Sequence, residues 1–261
     1  MYHSITFGNK NTYKDWHLVP ESRPSIVMPK PKRVTVDIPG RDGVLDLSEA
    51  IRKFPVYENR SGTLTFHVLN GYQNWQVLYS TIANYLHGRD IQVKLEDDPN
   101  WYYTGRVWVN SWTSNNDGTW SDIEFEYDLS PYKLYVYTTL SGDWIWDTFS
   151  FVNGRIIGTT MKDVNVDSTS YKTLNLLGFV GTMPICPKFI VSSSGGIDFH
   201  IYNQELGINI TKTGVKTGTY TWPEVMLTER SDSNNVYVQY KKSSSYSSTS
   251  KFSIEYRMGS L

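Results

Sequence analysis

The sequence predicts a mainly β protein of two domains. Alanine appears only at Ala50 and Ala83 in 261 residues, against 19 Tyr, 10 Phe and 9 Trp. Alanine is the best helix former, while aromatic and β-branched residues suit a half-buried pleated surface. Apolar and polar residues alternate through most of the chain, the mark of strands with one wet face. After Ser130-Pro131 the texture shifts: the helix signal disappears and Ser, Thr, Gly and Asn become denser. These observations divide the chain into residues 1–135, a β-rich domain with one helix, and residues 136–261, an all-β domain.

Taken in chain order, the first element is an extended arm. Pro20, Pro24, Pro29, Pro31 and Pro39 argue against a central strand over 19–43, because each proline lacks a ladder donor. Val34, Val36 and Ile38 nevertheless alternate with Thr35 and Asp37, so the arm has an apolar side that needs a cover. A strand follows, with Leu64, Phe66 and Val68 on one side and Thr63, Thr65 and His67 on the other. The single expected helix comes next. Trp75, Leu78, Ile82, Tyr85 and Leu86 recur at spacings of three and four and so share a face. Asn70 is placed to cap it with Gln73 three residues on, and Gly88 to end it.

Ile91, Val93 and Leu95 then alternate as a strand, and a hairpin follows over 106–112 and 120–129. Its turn contains Asn115-Asn116-Asp117-Gly118, where Asp-Gly supplies positive φ angles. Ile123, Phe125, Tyr127 and Leu129 face a core while Asp122, Glu124, Glu126 and Asp128 face water. In the second domain, strands are expected over 185–191, 197–202, 218–222, 235–240 and 251–256. Many short strands at that spacing suggest a β-sandwich. The Ser-rich stretch 243–250 reads as a hairpin tip.

Composition and motifs exclude several functions. With 25 Lys plus Arg against 26 Asp plus Glu, the chain lacks the basic footprint of a nucleic-acid binder. No apolar run approaches the roughly 20 residues needed to cross a bilayer, and Met1 to Lys10 has no signal-peptide character. Cys186 is the one cysteine, so no disulfide forms within the chain. His3, His17, His67, His87 and His200 lack zinc-motif spacing, and Glu96-Asp97-Asp98 lacks the spacing of a calcium loop. No cofactor or metal is expected. Glu124 and Glu126 lie about 7 Å apart on one strand face, within range for a pair of glycosidase carboxylates, yet outward acids also keep a strand soluble. No nucleophile elbow or phosphate loop occurs, and no catalytic residue is assigned.

Large rings mostly serve cores and interfaces. The alternative use is stacking on sugars, for which Trp144 and Trp146, on one face of Asp143-Trp144-Ile145-Trp146-Asp147, and Trp222 are the candidates.

The motifs in combination resemble the distal tail proteins (Dit) of siphoviruses. The resemblance runs from Pro29-Lys30-Pro31-Lys32 into Val34-Thr35-Val36-Asp37-Ile38-Pro39-Gly40-Arg41-Asp42-Gly43-Val44-Leu45-Asp46-Leu47. It continues through Asn84-Tyr85-Leu86-His87-Gly88, Leu95-Glu96-Asp97-Asp98-Pro99 and Tyr102-Tyr103-Thr104-Gly105-Arg106-Val107 to Ser130-Pro131-Tyr132-Lys133. In the second domain it is carried by Trp222-Pro223-Glu224-Val225-Met226-Leu227 and the ending Ile254-Glu255-Tyr256-Arg257-Met258-Gly259-Ser260-Leu261. Relatives often have a Gly-Asn turn where this chain has Arg230-Ser231-Asp232-Ser233-Asn234-Asn235.

The resemblance implies a non-enzymatic virion protein of the tail tip, assembled in the host cytoplasm. It implies a homohexameric ring formed by the first domain, between a tail tube protein and a tail-associated hub protein. The second domain is then a galectin-like or carbohydrate-binding-module-like β-sandwich that docks a receptor-binding protein. The expected assembly residues are Val34, Val36 and Ile38 on the arm, with Arg41 and Asp42 at its turn. The competing expectation is an adhesin module that binds a host cell-wall saccharide.

Overall fold

The computed structural model describes residues 2–50, 54–69, 74–140, 149–150, 155–156, 161–176, 181–204, 206–228, 236–244 and 249–261. The chain divides into two compact units, Met1–Lys133 with Leu261, and Leu134–Ser260. The architecture is mainly β, as the aromatic-rich, alanine-poor composition predicts.

The first unit opens with β1 (Ile5–Phe7), β2 (Lys10–Asn11) and a short helix α1 (Thr12–Trp16) that the periodicity does not announce. Five residues are too few to show a helical repeat, and the signal lies in the cap. The Asn11 carboxamide oxygen accepts the Tyr13 and Lys14 amides, while Asp15 accepts the Asn11 amide at 2.8 Å. His17 ends the helix in the left-handed conformation.

There follow β3 (Leu18–Pro20), β4 (Thr35–Asp37), β5 (Val44–Asp46), β6 (Arg60–Val68), α2 (Trp75–Leu86), β7 (Arg89–Leu95), β8 (Trp101–Ser114) and β9 (Ser121–Leu129). One antiparallel sheet runs in the order β2-β1-β7-β8-β9-β6-β3. Pro20 ends β3 at the sheet's edge, where a missing amide costs little. Helix α2 lays Trp75, Ile82 and Leu86 into a core shared with Phe7, Phe66 and Phe125. Asn74 stands at its N-cap position without a capping side-chain hydrogen bond; Asn70 and Gln73 lie outside the described residues. Along β9, Ser121, Ile123, Phe125, Tyr127 and Leu129 are buried in strict alternation. The β8–β9 turn is built differently from expectation. Only Gly118 has a positive φ, and the Asn115 side chain closes the loop by accepting the Thr119 and Trp120 amides.

The second unit contains β10 (Lys133–Thr138), which begins at the end of the first and pairs with the last strand. Its further strands are β11 (Phe149–Ser150), β12 (Arg155–Ile156), β13 (Val164–Val166), β14 (Lys172–Asn175), β15 (Lys188–Ser192), β16 (Ile197–Asn203), β17 (Ile208–Val215), β18 (Gly218–Thr221), β19 (Val236–Lys242), β20 (Ser250–Glu255) and β21 (Arg257–Ser260). Two 4-stranded sheets, β13-β20-β15-β18 and β14-β19-β16-β17, form a sandwich. Their inner rings interlock: Phe199 of one sheet meets Phe189 and Phe252 of the other at centroid distances of 5.5 and 5.0 Å. Part of the Ser-rich stretch 243–250 lies outside the described residues.

Candidate functional site

Strand β4 does not stand alone as an extended arm. It turns back and pairs with β5, setting Thr35 opposite Asp46, Val36 opposite Leu45 and Asp37 opposite Val44. The sequence Ile38-Pro39-Gly40-Arg41 makes the reversal. Proline supplies the fixed φ at the second position, Gly40 takes φ +82°, and the Arg41 amide reaches the Ile38 carbonyl at 3.1 Å. Arg41 and Asp42 are therefore exposed at the tip.

Because paired residues point to the same side, Val34, Val36, Ile38, Leu45 and Leu47 line one face of this hairpin. Among the described residues nothing fully buries that face: Val34 is 56% exposed, Val36 43% and Leu47 38%. Ile38 and Leu45 are half-buried. The opposite face carries Thr35, Asp37 and Asp46, with Val44 exposed among them. The ladder continues below the strands, where the Leu47 amide donates to Val34 and the Val34 amide to the Ser48 hydroxyl, both at 2.8 Å. Arg33 and Asp46 form an ion pair at 4.0 Å, and hydrogen bonds from Ser48 with the Arg33 charge hold the Asp46 carboxyl below its usual range.

The base of the arm is fixed by a residue that sequence reasoning missed. Arg60, 1% exposed, donates from Nε to the Pro131 carbonyl at 2.8 Å and from Nη1 to the Val27 carbonyl at 3.1 Å. Its guanidinium lies 5.3 Å from the centre of the Tyr103 ring, and burial pulls its pKa below the ordinary value. The Val27 amide in turn donates to the Tyr127 hydroxyl. Lys30, Lys32, Val56 and Glu58 complete the base through main-chain bonds. A lone arginine at the start of a strand carries no sequence pattern that announces this clamp.

The acidic turn after β7 serves as a clasp. Glu96 accepts the Ser4 amide at 2.7 Å, Asp97 accepts His3 at 2.8 Å and Arg23 at 2.7 Å, and Asp98 accepts Lys133 at 2.7 Å. These hydrogen bonds hold the Glu96 and Asp97 carboxyls below their ordinary range. No group of three or more side chains suited to a metal occurs among the described residues. No helix among them is long and apolar enough to cross a membrane.

The remaining candidates have specific places. Trp144 and Trp146 lie outside the described residues. Trp222 packs at the rim of the sandwich core, 4.7 Å from Phe189, with Lys212 5.8 Å from its ring centre. Glu124 accepts from the Asn110 side chain and Glu126 from the Trp108 indole at 3.2 Å. Those bonds tie the two acids to β8.

Comparison with solved structures supplies a fold. The chain superposes on the Dit protein (gp 19.1) of SPP1 with a TM-score of 0.58 at 11% identity, covering 99% of this chain and 100% of that one. That protein is described as a paradigm of the hub adsorption apparatus in phages infecting Gram-positive bacteria. By sequence, the chain matches none of the family models and none of the curated proteins compared with it.

Proposed function

We propose that this chain is a structural distal tail protein of a siphophage virion. Six copies close a ring that joins the tail tube protein to the tail-associated hub and supports host-adsorption proteins. The observation that carries the reading is the uncovered apolar face of the β4–β5 hairpin. A two-stranded ribbon is marginal by itself, and a face of Val34, Val36, Ile38, Leu45 and Leu47 left in water invites association. The likeness in fold to SPP1 Dit supports the same reading, with a tail protein as the context in which that face is covered.

In this reading the hairpin lies against a different surface of the neighbouring copy. The contact is then heterologous, and it closes into a ring when the rotation per copy divides a full turn. Aliphatic burial supplies most of the affinity, which suits a chain of formal net charge −1. The virion part is assembled in the host cytoplasm before release. Negative-stain microscopy of the purified full chain, with mass measurement, tests the proposal: sixfold rings are expected, and monomers at all concentrations, with or without tube protein, contradict it.

A further inference from the structure

On the outer face of the β14-β19-β16-β17 sheet, two adjacent rows of side chains are neither charged nor aliphatic. Strand register sets Thr173, Gln239, His200 and Thr211 in one row. Tyr237, Tyr202 and Asn209 follow in the next. We propose that this face binds a neutral saccharide, with a hexose ring stacked on Tyr202 or Tyr237 and its hydroxyls bonded by the carboxamides of Asn209 and Gln239, which His200 holds in position. The inference concerns the second unit alone and holds or fails whether or not the first unit forms a ring.

The polar groups are held in place before any ligand arrives. The His200 imidazole is gripped edge-on, with Nδ1 2.7 Å from the Gln239 carboxamide and Nε2 2.7 Å from that of Asn209. Gln239 is anchored in turn by donating to the Thr173 hydroxyl at 3.4 Å. With the imidazole saturated, the two carboxamides it fixes still offer N–H donors and oxygen lone pairs, which is what a sugar hydroxyl requires. Rings surround them: Tyr202 lies 5.1 Å from Tyr237 and 5.3 Å from His200, and Tyr171 lies 6.3 Å from His200.

Beside these rows is an open depression of about 550 Å³, bordered by His200, Tyr202, Gly207, Asn209 and Gln239. Charge selects the class of ligand. Apart from the His200 imidazole, whose two nitrogens are both engaged, no acidic or basic side chain lines the depression among the described residues. One row away, Lys241 and Asp198 sit 3.8 Å apart and offset each other, with Lys241 also over the Tyr171 ring. A phosphate, a nucleotide or a charged peptide would find no counter-ion, whereas a neutral polyol would need none. By contrast, the outer side of β9 carries Asp122, Glu124, Glu126 and Asp128, the charged surface that solubility alone favours.

Tyr202 opposite Tyr237 also stabilises the sheet as a cross-strand pair, so the test must separate binding from folding. Saturation-transfer NMR of the full chain with D-glucose, D-galactose and N-acetylglucosamine should show transfer to the ring protons of at least one. Asn209→Ala and His200→Ala should weaken that binding at least about tenfold with the thermal midpoint unchanged, and Trp222→Phe should retain it. No transfer to any of the three sugars from folded wild type overturns the proposal. So does transfer undiminished in Asn209→Ala, whose exposed side chain makes its folding secure, or a protein partner bound at this face without any sugar response.

Discussion

Two antiparallel ribbons in the first unit share one sequence pattern and meet opposite fates. In β9, every second residue from Ser121 to Leu129 is buried by α2 and by neighbouring strands. In β4–β5, the same alternation gives an apolar face that the described residues leave largely in water. Alternation therefore specifies a dry face and a wet face, but not what covers the dry one. Where a protein supplies no cover of its own, a second molecule is the natural source.

The comparison breaks most visibly through β9. Phe125→Ala should cost about 3–5 kcal/mol in urea unfolding of the first unit, because a fully buried ring leaves a cavity. Val36→Ala, the matching truncation on the arm, should stay within about 0.5 kcal/mol for the isolated chain. Between these lies Arg60→Met, which leaves the Val27 and Pro131 carbonyls without their donor. A loss of about 2–4 kcal/mol is expected, with faster hydrogen exchange at the arm's base. A smaller effect should come from Gly40→Ala. An added methyl meets nothing within 4 Å, so the penalty is the positive φ alone, about 1 kcal/mol of hairpin stability. Protection of the Leu47 amide should fall in proportion.

The smallest effect concerns acid. The Glu96 and Asp97 carboxyls are lowered in the fold by the Ser4, His3 and Arg23 hydrogen bonds. A depressed carboxyl contributes stability that is fully present above the unfolded pKa of about 4 and disappears as pH falls through the lower folded value. Asp97→Asn should therefore flatten the acid limb of the first unit's stability profile and leave neutral-pH assembly unchanged.

What the sequence discloses follows the same division. The core strands 63–68 and 123–129 and helix α2 are legible because their apolar residues repeat at a fixed period over several turns or pleats. The arm's apolar side is legible from Val34, Val36 and Ile38. Its return strand is not, because the Gly43-Val44-Leu45-Asp46-Leu47 run is short and only the turn geometry at Gly40 pairs it with β4. Helix α1 rests on one cap, and Arg60 acts through carbonyls that no sequence pattern marks. The Tyr202, His200 and Gln239 face is scattered over β16 and β19. Only strand register gathers it, whereas the tryptophans draw attention by composition alone.

On the proposed reading, the uncovered hairpin face is the assembly surface. Sedimentation equilibrium of wild type beside the double variant Val36→Asp and Ile38→Asp tests it most directly. Wild type should sediment as a hexamer and the variant as a folded monomer with an unchanged unfolding midpoint. A variant that remains hexameric would contradict the claim.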